Sequence, residues 1–243
     1  MQASSLDVCH FISSRGADVR LTFFDLDNTL LAGDSDYEWG RFLVDEDVVD
    51  QSTFARANDT FRAQYEAGVL DIHAYQRFVL QPLIQESATR MAALRERFVA
   101  RRIAPIVARH AASAIDFHRQ RGDLIAIITA TNRFVTEPIA QLLAVEHLIA
   151  TEPEIVDGAY TGAIAGTPSY REGKITRARS FLAALSIQPE HVTFYSDSHN
   201  DLPLMRWADR AVAVDPDERL AAAAHEAGWP VISLRGETMP TLA

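Results

Sequence analysis

The chain has 243 residues, of which 48% are hydrophobic and 23% are charged, values typical of a globular protein with one domain or one domain plus an insertion. Its formal net charge of −10 at pH 7 argues against nucleic acid or an anionic membrane as a partner, because both require a basic surface. No apolar run approaches the roughly 18 residues that a membrane-spanning helix needs.

Residues 1–20 form a polar leader to which the sequence assigns no role. The leader lacks a basic start followed by a long apolar segment, so it does not resemble a secretion signal. The single cysteine, Cys9, cannot form an internal disulfide and is typical of a reducing compartment. These features predict a cytoplasmic protein.

Short apolar runs alternate with helical patterns along most of the chain. The runs are continuous, as in strands that are buried on both faces of a sheet. The alternation predicts an α/β fold, with a doubly wound, mostly parallel sheet and a Rossmann-like core. Gly122 and Gly228 are expected to cap the C-terminal ends of two helices. The predicted strands are 21-LTFF, 124-LIAII, 192-VTFY, 211-AVAV and 230-PVIS, and the predicted helices are 105–122, 133–144, 173–186, 200–208 and 217–228.

Residues 36–104 interrupt this alternation. They contain no convincing β run, and their apolar residues recur at helical spacings, which predicts an all-helical cap domain inserted after the first strand. The catalytic core is then expected to consist of 21–35 and 105–233. A second irregular stretch, 152–173, is rich in glycine and turn residues and contains short β runs that predict a hairpin.

Two of the predicted strands end in acidic residues. Asp25 and Asp27 follow the first strand, and because residues i and i+2 of a strand point to the same face, they are expected to share one site. Asp197 and Asp201 follow the strand 192-VTFY. Close carboxylates repel each other, and Mg²⁺, which prefers oxygen ligands, relieves that repulsion. The two clusters therefore predict two halves of one metal site in the crevice at the carboxyl ends of the strands.

Two further segments suggest a site for a phosphoryl group. Thr129 and Ala130 lie at a strand-to-helix turn, where a hydroxyl and free backbone N–H groups can hold an anion. Lys174 opens a helix after a glycine and can supply the positive charge that phosphoryl transfer requires. Each feature alone is more typical of a surface turn, a helix cap or a solvated lysine. Their occurrence together, each at a strand end or helix start, favours a phosphoryl-transfer site.

In this order, FFDLDNTL, IIT, GK and SDSHNDLPLM resemble the four motifs of the haloacid-dehalogenase superfamily of phosphohydrolases. The resemblance covers about residues 21–233, and its first and fourth motifs are the specific ones. The helical insertion directly after the first motif is similar to the cap of the phosphoserine-phosphatase-like subfamily. Ser196 stands where the family often has glycine, and we expect the serine to be tolerated.

The resemblance implies a role for each motif residue. Asp25 would be the nucleophile that forms an aspartyl phosphate, and Asp27 the general acid and base. Mg²⁺ would be held by the Asp25 carboxylate, the Asp27 main-chain carbonyl and Asp197, with Asp201 orienting the ion's shell or Lys174. An acid at position 27 favours a phosphatase over a dehalogenase. The implied phosphate-binding groups are Thr129, Lys174, Asn28, Ala130 and the backbone N–H groups from Leu26 to Asn28.

A helical cap over the crevice excludes water, which predicts a small soluble phosphomonoester as substrate. Asp34, Asp36 and Glu38 lie near the site and can meet an ammonium group, although a solvated turn and helix start explain them equally well. An amino-alcohol phosphate such as histidinol phosphate, which has an amine and no carboxylate, suits this acidic entrance. Asn132 and Asn200, beside the second and fourth motifs, are further candidates for substrate contacts.

Phosphoserine is the alternative substrate, and its carboxylate would need a cation in the cap. Arg56, Arg62 and Arg77 are the candidates, although all three are also typical of surface helix positions. Three functions stay open: a Mg²⁺-dependent phosphatase, a phosphotransferase with the same site, and a non-catalytic protein that binds a phosphate ligand. His199 can face the site or lie in a loop, and the oligomeric state is not evident from the sequence.

Overall fold

A computed structural model describes residues 19–242 of the chain. Six parallel strands form one sheet in the order β3-β2-β1-β6-β7-β8, and a separate antiparallel hairpin pairs β4 with β5. Helices cover both faces of the sheet, so the predicted doubly wound α/β fold is confirmed. The strands are β1 (Arg20–Phe24), β2 (Leu124–Asn132), β3 (His147–Thr151), β4 (Pro153–Val156), β5 (Ala159–Ile164), β6 (His191–Ser196), β7 (Arg210–Val214) and β8 (Val231–Ile232).

Successive side chains of the central strands point into two separate hydrophobic layers. In β1, Leu21 and Phe23 pack into one layer and Phe24 into the other. Strand β6 repeats the pattern, with Phe194 in the first layer and Tyr195 in the second. The period of two explains why the sequence runs are continuously apolar, because both faces of these strands are covered.

Ten α-helices of five residues or more lie within residues 19–242. Five belong to the insertion between β1 and β2, and three of these begin at an aspartate whose side chain accepts backbone N–H bonds of the first turn, namely Asp34, Asp50 and Asp71. The helices are α1 (Ser35–Asp45), α2 (Gln51–Ala67), α3 (Ile72–Val79), α4 (Gln81–Gln85), α5 (Ala88–Phe98), α6 (Ala111–Gln120), α7 (Arg133–Leu142), α8 (Glu172–Leu185), α9 (Leu202–Trp207) and α10 (Glu218–Ala227).

The inserted helices share one of the two hydrophobic layers with the sheet. Trp39 of α1 packs edge-on against Phe98 of α5, and it also contacts Phe134 of α7, which belongs to the core. The hairpin of β4 and β5 contacts the insertion too, because a Cβ on Gly162 would lie 2.5 Å from the side chain of Ile84. Because of this shared packing, the division into a core of 21–35 and 105–233 and a cap of 36–104 stays a prediction.

The structure also departs from the predicted elements. Strand β3, a short edge strand, was not predicted, and β2 continues past Thr129 to Asn132. The helix predicted from position 105 begins at Ala111, after a short 3₁₀ turn at Ala104–Ile106. Arg20, assigned to the leader, already belongs to β1, while residues 1–18, including Cys9, lie outside the described part of the chain. No helix within residues 19–242 is long and apolar enough to cross a membrane.

Candidate active site

The acidic residues of the first motif lie at the point where the strand order reverses. Strand β1 has β2 and β3 on one side and β6, β7 and β8 on the other, and ligands of such sheets bind at the carboxyl ends of the strands beside this point. Asp25 follows β1 directly, and its N–H donates to the carbonyl of Tyr195 at 2.9 Å. The end of β1 is thereby tied to the end of β6, two residues before Asp197.

The turn after β1 connects the two acidic clusters. Asn28 has φ +56°, a left-handed conformation that asparagine adopts more readily than most residues, and its N–H donates to Gly33 O at 2.9 Å. This backbone N–H is therefore already used within the turn, whereas the Asn28 residue lines the cavity described below. One residue later, the Thr29 hydroxyl donates to Asp197 Oδ1 at 3.1 Å. The turn thus brings the first and fourth motifs together.

Lys174 lies between these clusters and is buried, with 1% of its surface exposed. Its Nζ is 2.7 Å from Asp25 Oδ1 and 2.6 Å from Asp201 Oδ2. Burial lowers the pKa of Lys174, but the carboxylates of Asp201 and Asp25 outweigh this effect and raise it above its ordinary value. The ammonium group is therefore charged, and Asp201 positions it. A second donor, the Ser196 hydroxyl, holds Asp201 Oδ2 at 2.7 Å.

The residue before Lys174 must be a glycine for steric reasons. A Cβ on Gly173 would lie 2.1 Å from the carbonyl oxygen of Pro168, a contact that no side chain can make. The close approach brings the start of α8 against the preceding loop, and Lys174 projects from that first turn. The GK dipeptide of the sequence therefore has a structural reason for each of its two residues.

The carboxylates of the site have raised pKa values. Burial, together with the charges of Asp201 and Asp27, raises the pKa of Asp25 to about 7, although Lys174 opposes the shift. Burial also raises the pKa of Asp197 well above its usual range, with the charge of Asp25 as the next cause. Within the described chain, Lys174 is the cation that pairs with this cluster. Lys174 alone therefore cannot balance all of these carboxylates when they are ionised.

Asp27 points to the side of the site formed by β2. Its carboxylate accepts bonds from the Ser35 N–H at 2.6 Å, the Thr131 hydroxyl at 2.9 Å and the Thr129 hydroxyl at 3.5 Å. Burial raises the pKa of Asp27, and the bonds from Ser35 and Thr131 partly offset this. Thr129 and Thr131 reach the same oxygen because they are two residues apart in β2. Asp27 is thus held in a fixed orientation beside Asp25.

A cavity opens from these residues into the inserted helices. The core contributes the predicted residues Asp25, Asp27, Asn28, Thr129 and Ala130, together with Thr131. The inserted segment contributes carboxylates, aromatic rings, one arginine and other side chains, namely Asp34, Asp36, Tyr37, Asn58, Phe61, Arg62, Tyr65, Leu70, Ile72 and Tyr75.

Three residues predicted to contact substrate do not line this cavity. Glu38 pairs with Arg41 and Arg102 on the other side of α1. Asn132 accepts the Val135 N–H at 3.3 Å and so caps α7. Asn200 lines a neighbouring cavity on the side of Asp197. The two cavities share four wall residues, namely Asn28, Asp34, Arg62 and Tyr65.

Of the arginines considered as carboxylate ligands, Arg62 reaches the cavities and the other two do not. Arg62 lies at the mouth, where it bonds Glu66 at 2.9 Å and stacks on the Tyr37 ring at 4.5 Å. Arg56 bonds Ser52 O within its own helix, and Arg77 is exposed. The sequence did not single out the cavity tyrosines, because their placement depends on how separate helices pack.

Hydrogen bonds join the C-terminal end of α2 to residues of the core. Asn200 Nδ2 donates to Tyr65 O at 3.0 Å, and Arg171 donates to Gly68 O at 2.7 Å. Arg219 donates to Ala67 O at 3.0 Å and lies 3.4 Å from His199 Nε2. The carbonyls at a helix end have no partners within the helix, so these donors satisfy them. The Nδ1 atom of His199 contacts Asp217 at 2.7 Å. His199 therefore supports these contacts at the end of α2 and does not line the first cavity.

No group of three or more His, Cys, Asp or Glu side chains is arranged to hold a metal ion within residues 19–242. The four acids of the motifs contact different partners. Asp27 turns to Ser35 and Thr131, and Asp201 turns to Lys174. Asp25 and Asp197 are left as the side chains that share the remaining negative region.

Comparisons with known proteins identify the family of the chain. The family description "haloacid dehalogenase-like hydrolase" matches residues 22–206. A histidinol-phosphatase of Neisseria meningitidis serogroup C (strain 8013) is 40% identical over 88% of this chain and 99% of its own length. A phosphoserine phosphatase of Mycobacterium tuberculosis (strain ATCC 25618 / H37Rv) is 31% identical over 92% of this chain and 74% of its own length.

Two solved structures show the same fold. A protein of unknown function from Bordetella pertussis Tohama I has 42% identity and a TM-score of 0.84, covering 90% of this chain and 100% of its own. A substrate-bound phosphoserine phosphatase superimposes with a TM-score of 0.64 at 18% identity, covering 90% of this chain and 94% of its own. The predicted enzyme class, a phosphoric monoester hydrolase, is confirmed. The chain belongs to the haloacid dehalogenase-like hydrolase family.

Proposed function

We propose that the protein is a Mg²⁺-dependent phosphatase that hydrolyses histidinol phosphate through a phosphorylated Asp25. The observation that carries the proposal is the placement of Asp25 at the end of β1, with Lys174 Nζ at 2.7 Å and the oriented Asp27 beside it. This arrangement provides a nucleophile, a fixed positive charge and a general acid around one point. The 40% identical histidinol-phosphatase supports the choice of substrate.

The charge of the cavity also supports an amine-bearing substrate. The inserted helix α1 and its N-cap place the carboxylates of Asp36 and Asp34 in the wall. Among the wall residues of this cavity, Arg62 is the one cation, and it is already paired with Glu66 at the mouth. A substrate carboxylate would meet the negative wall, whereas an ammonium group would be attracted to it. These contacts favour histidinol phosphate over phosphoserine.

The residues present suit a bound Mg²⁺. Asp25 and Asp197 supply carboxylate oxygens, the ligand type that Mg²⁺ prefers, and Lys174 is the one cation of the described residues that pairs with this cluster. We assign the ion to these two carboxylates and the Asp27 main-chain carbonyl. When bound, Mg²⁺ supplies positive charge to the phosphoryl oxygens and keeps the carboxylates ionised.

Each remaining residue has a task in the proposed reaction. Asp25 attacks phosphorus and the ester oxygen leaves, while the protonated Asp27 donates a proton to that oxygen. The raised pKa of Asp27 favours the protonated form that this step requires. Asp27 then takes a proton from the water that hydrolyses the aspartyl phosphate. Lys174 and the Thr129 hydroxyl hold the phosphoryl oxygens, and the inserted helices exclude bulk water.

The test is phosphate release from histidinol phosphate by the wild-type chain, with Mg²⁺ and with EDTA. Asp25→Asn should abolish release, because the amide cannot attack phosphorus. Asp45→Asn is a matched control, since Asp45 lies on the surface of α1 and pairs with Arg102. Phosphoserine should be the poorer substrate, with a lower kcat/KM. Binding of histidinol phosphate without turnover would instead support a binding protein, and transfer to an added alcohol without free phosphate would support a phosphotransferase.

A further inference from the structure

Asp36 is a buried carboxylate, and one of its two oxygens has no hydrogen-bond partner among residues 19–242. It lies in the first turn of α1 with 4% of its surface exposed, and it forms part of the cavity wall. Its Oδ1 atom has no hydrogen-bond partner in the described chain. Buried polar atoms without partners are uncommon, because the desolvation of such an atom is costly. The unused acceptor therefore points to a ligand.

The groups around Asp36 strengthen this conclusion. Burial raises the pKa of Asp36 well above its usual range, the negative charges of Asp34 and Asp27 raise it further, and the Tyr75 hydroxyl from α3 partly offsets the shift. Burial and the charge of Asp36 likewise raise the pKa of Tyr75. No arginine, lysine or histidine of residues 19–242 forms an ion pair with Asp36. The missing partner is therefore a hydrogen-bond donor, and a positively charged N–H group suits this position best because it would offset the charges of Asp34 and Asp27.

Asp34 has a different role, although it is only two residues away. Its Oδ1 accepts the N–H groups of Asp36 and Tyr37 at 3.0 and 2.9 Å, so that one oxygen is committed to capping α1. Asp34 also lines both cavities, whereas Asp36 lines only the first of the two. An ammonium group next to the phosphoester can be met by Asp34 near the mouth that the cavities share. Asp36 is then available for a second donor.

The lining of the first cavity indicates which second donor suits it. The rings of Phe61, Tyr65 and Tyr75 and the side chains of Leu70 and Ile72 form its walls. Aromatic and aliphatic walls favour a flat apolar ring, and a carboxylate among them favours a ring that carries an N–H. A short aliphatic leaving group would leave the Asp36 oxygen unpaired.

We propose that Asp36, with Tyr75 beside it, receives a ring N–H of a planar nitrogen heterocycle on the leaving alcohol. This inference rests on the proposed function, and for histidinol phosphate the heterocycle is the imidazole. Asp36 is thus a specificity-determining residue: it selects substrates by their ring, in addition to any selection by the ammonium group. The inference concerns binding only, so Asp36 takes no part in the bond-breaking steps at Asp25.

The test compares two substrates that share an ammonium group and differ in the ring, histidinol phosphate and ethanolamine phosphate. The measured quantity is the ratio of their kcat/KM values. Asp36→Asn removes the negative charge, and Asp36→Leu removes the acceptor as well. We expect the ratio to fall about 10-fold in the first variant and about 100-fold in the second, mainly through a higher KM for histidinol phosphate. Asp45→Asn, on the surface of the same helix, should keep the wild-type ratio.

Thermal unfolding distinguishes this role from a structural one. Because Asp36 has an unpaired buried oxygen, Asp36→Leu should keep or raise the Tm of the ligand-free protein. A lower Tm together with equal losses for both substrates would overturn the inference in favour of a structural role, as would an unchanged ratio in both variants. If the wild-type chain itself fails to prefer histidinol phosphate, the proposed function is refuted, and this result is separate from any result with the variants.

Discussion

Lys174 offers the sharpest test of how the site is held together. It is the only lysine of the chain, in which the other 22 of 23 basic Lys and Arg residues are arginines. Replacing it with methionine preserves an unbranched side chain of similar length but removes the charge. The substitution leaves the carboxylates of Asp25 and Asp201 buried without their cation.

The contact distances set the expected size of the effect. Two unit charges 2.7 Å apart attract each other by about 6 kcal/mol at an effective dielectric constant of 20, and Lys174 makes two contacts of this length or shorter. Methionine avoids the cost of desolvating the ammonium group, several kcal/mol, which offsets part of the loss. We therefore expect Lys174→Met to lower the free energy of unfolding by about 3–5 kcal/mol.

The loss should depend on pH in a defined direction. Asp25 has a pKa of about 7 in the folded wild-type chain, above the unfolded value of about 3.9, and removal of Lys174 raises it further. Between these two pKa values the folded state binds more protons than the unfolded state, so stability falls as pH rises through the window. At low pH, protonation neutralises the Asp25 carboxylate that has lost its lysine partner. The effect of Lys174→Met should therefore be larger at pH 8 than at pH 5.

Urea unfolding in EDTA at these two pH values measures the effect without bound cations. Asp201→Asn and the double variant complete a cycle, and the double variant should be more stable than Lys174→Met alone, because one fewer buried charge is left unpaired. Wild-type stability of Lys174→Met at pH 8, or a loss that does not change with pH, would refute this account of the site.

Three further predictions concern residues outside this cluster. Thr131→Val removes the 2.9 Å bond that orients Asp27, so kcat should fall about 10-fold while urea unfolding shows a change below about 1.5 kcal/mol; an unchanged kcat would contradict this positioning role. Burial lowers the pKa of His118, so stability should fall as pH decreases below about 6.5, and His118→Gln should reduce that slope by up to about 1.4 kcal/mol per pH unit in thermal or urea unfolding. Arg171→Met removes the 2.7 Å bond to Gly68 O, so hydrogen exchange in the last turn of α2 should accelerate about 10-fold, and equal exchange in the variant would show that the other contacts at the end of α2 suffice.

Local sequence patterns predicted the core of the fold, because the burial of a strand and the position of its end are visible in a short run of residues. The apolar run ending in Asp25 and Asp27 predicts a buried strand at a ligand crevice, and the structure places it at the centre of the sheet. Strand β3 escaped prediction because it is short and lies at an edge, and a pattern of five residues cannot distinguish such a strand from a loop. The sequence singled out Lys174 at a helix start, but it could not show why a glycine precedes it, since the close approach of Gly173 to Pro168 is a tertiary contact.

The substrate-facing residues show where sequence reasoning loses accuracy. Asp36 and Glu38 were grouped together because they are close in sequence, yet residues two apart on a helix point about 200° apart. The helical period alone therefore separates Asp36, in the cavity, from Glu38, which faces Arg102. Tyr75 offered no comparable signal, because it approaches Asp36 from another helix and only the packing of α3 against α1 brings them together.

The charges of the site bear on how the proposed ligands bind. Toward Asp197 the buried carboxylates exceed the single cation Lys174, and toward Asp36 a buried oxygen has no partner in the described chain. A phosphate ester alone would add negative charge to an already negative enclosure, which is unfavourable. A divalent cation beside Asp25 and a nitrogen-bearing leaving group beside Asp36 remove this conflict in the two regions where it arises. The ligand-free protein therefore bears an electrostatic cost that the proposed substrate and ion relieve together, and the two should bind with positive coupling.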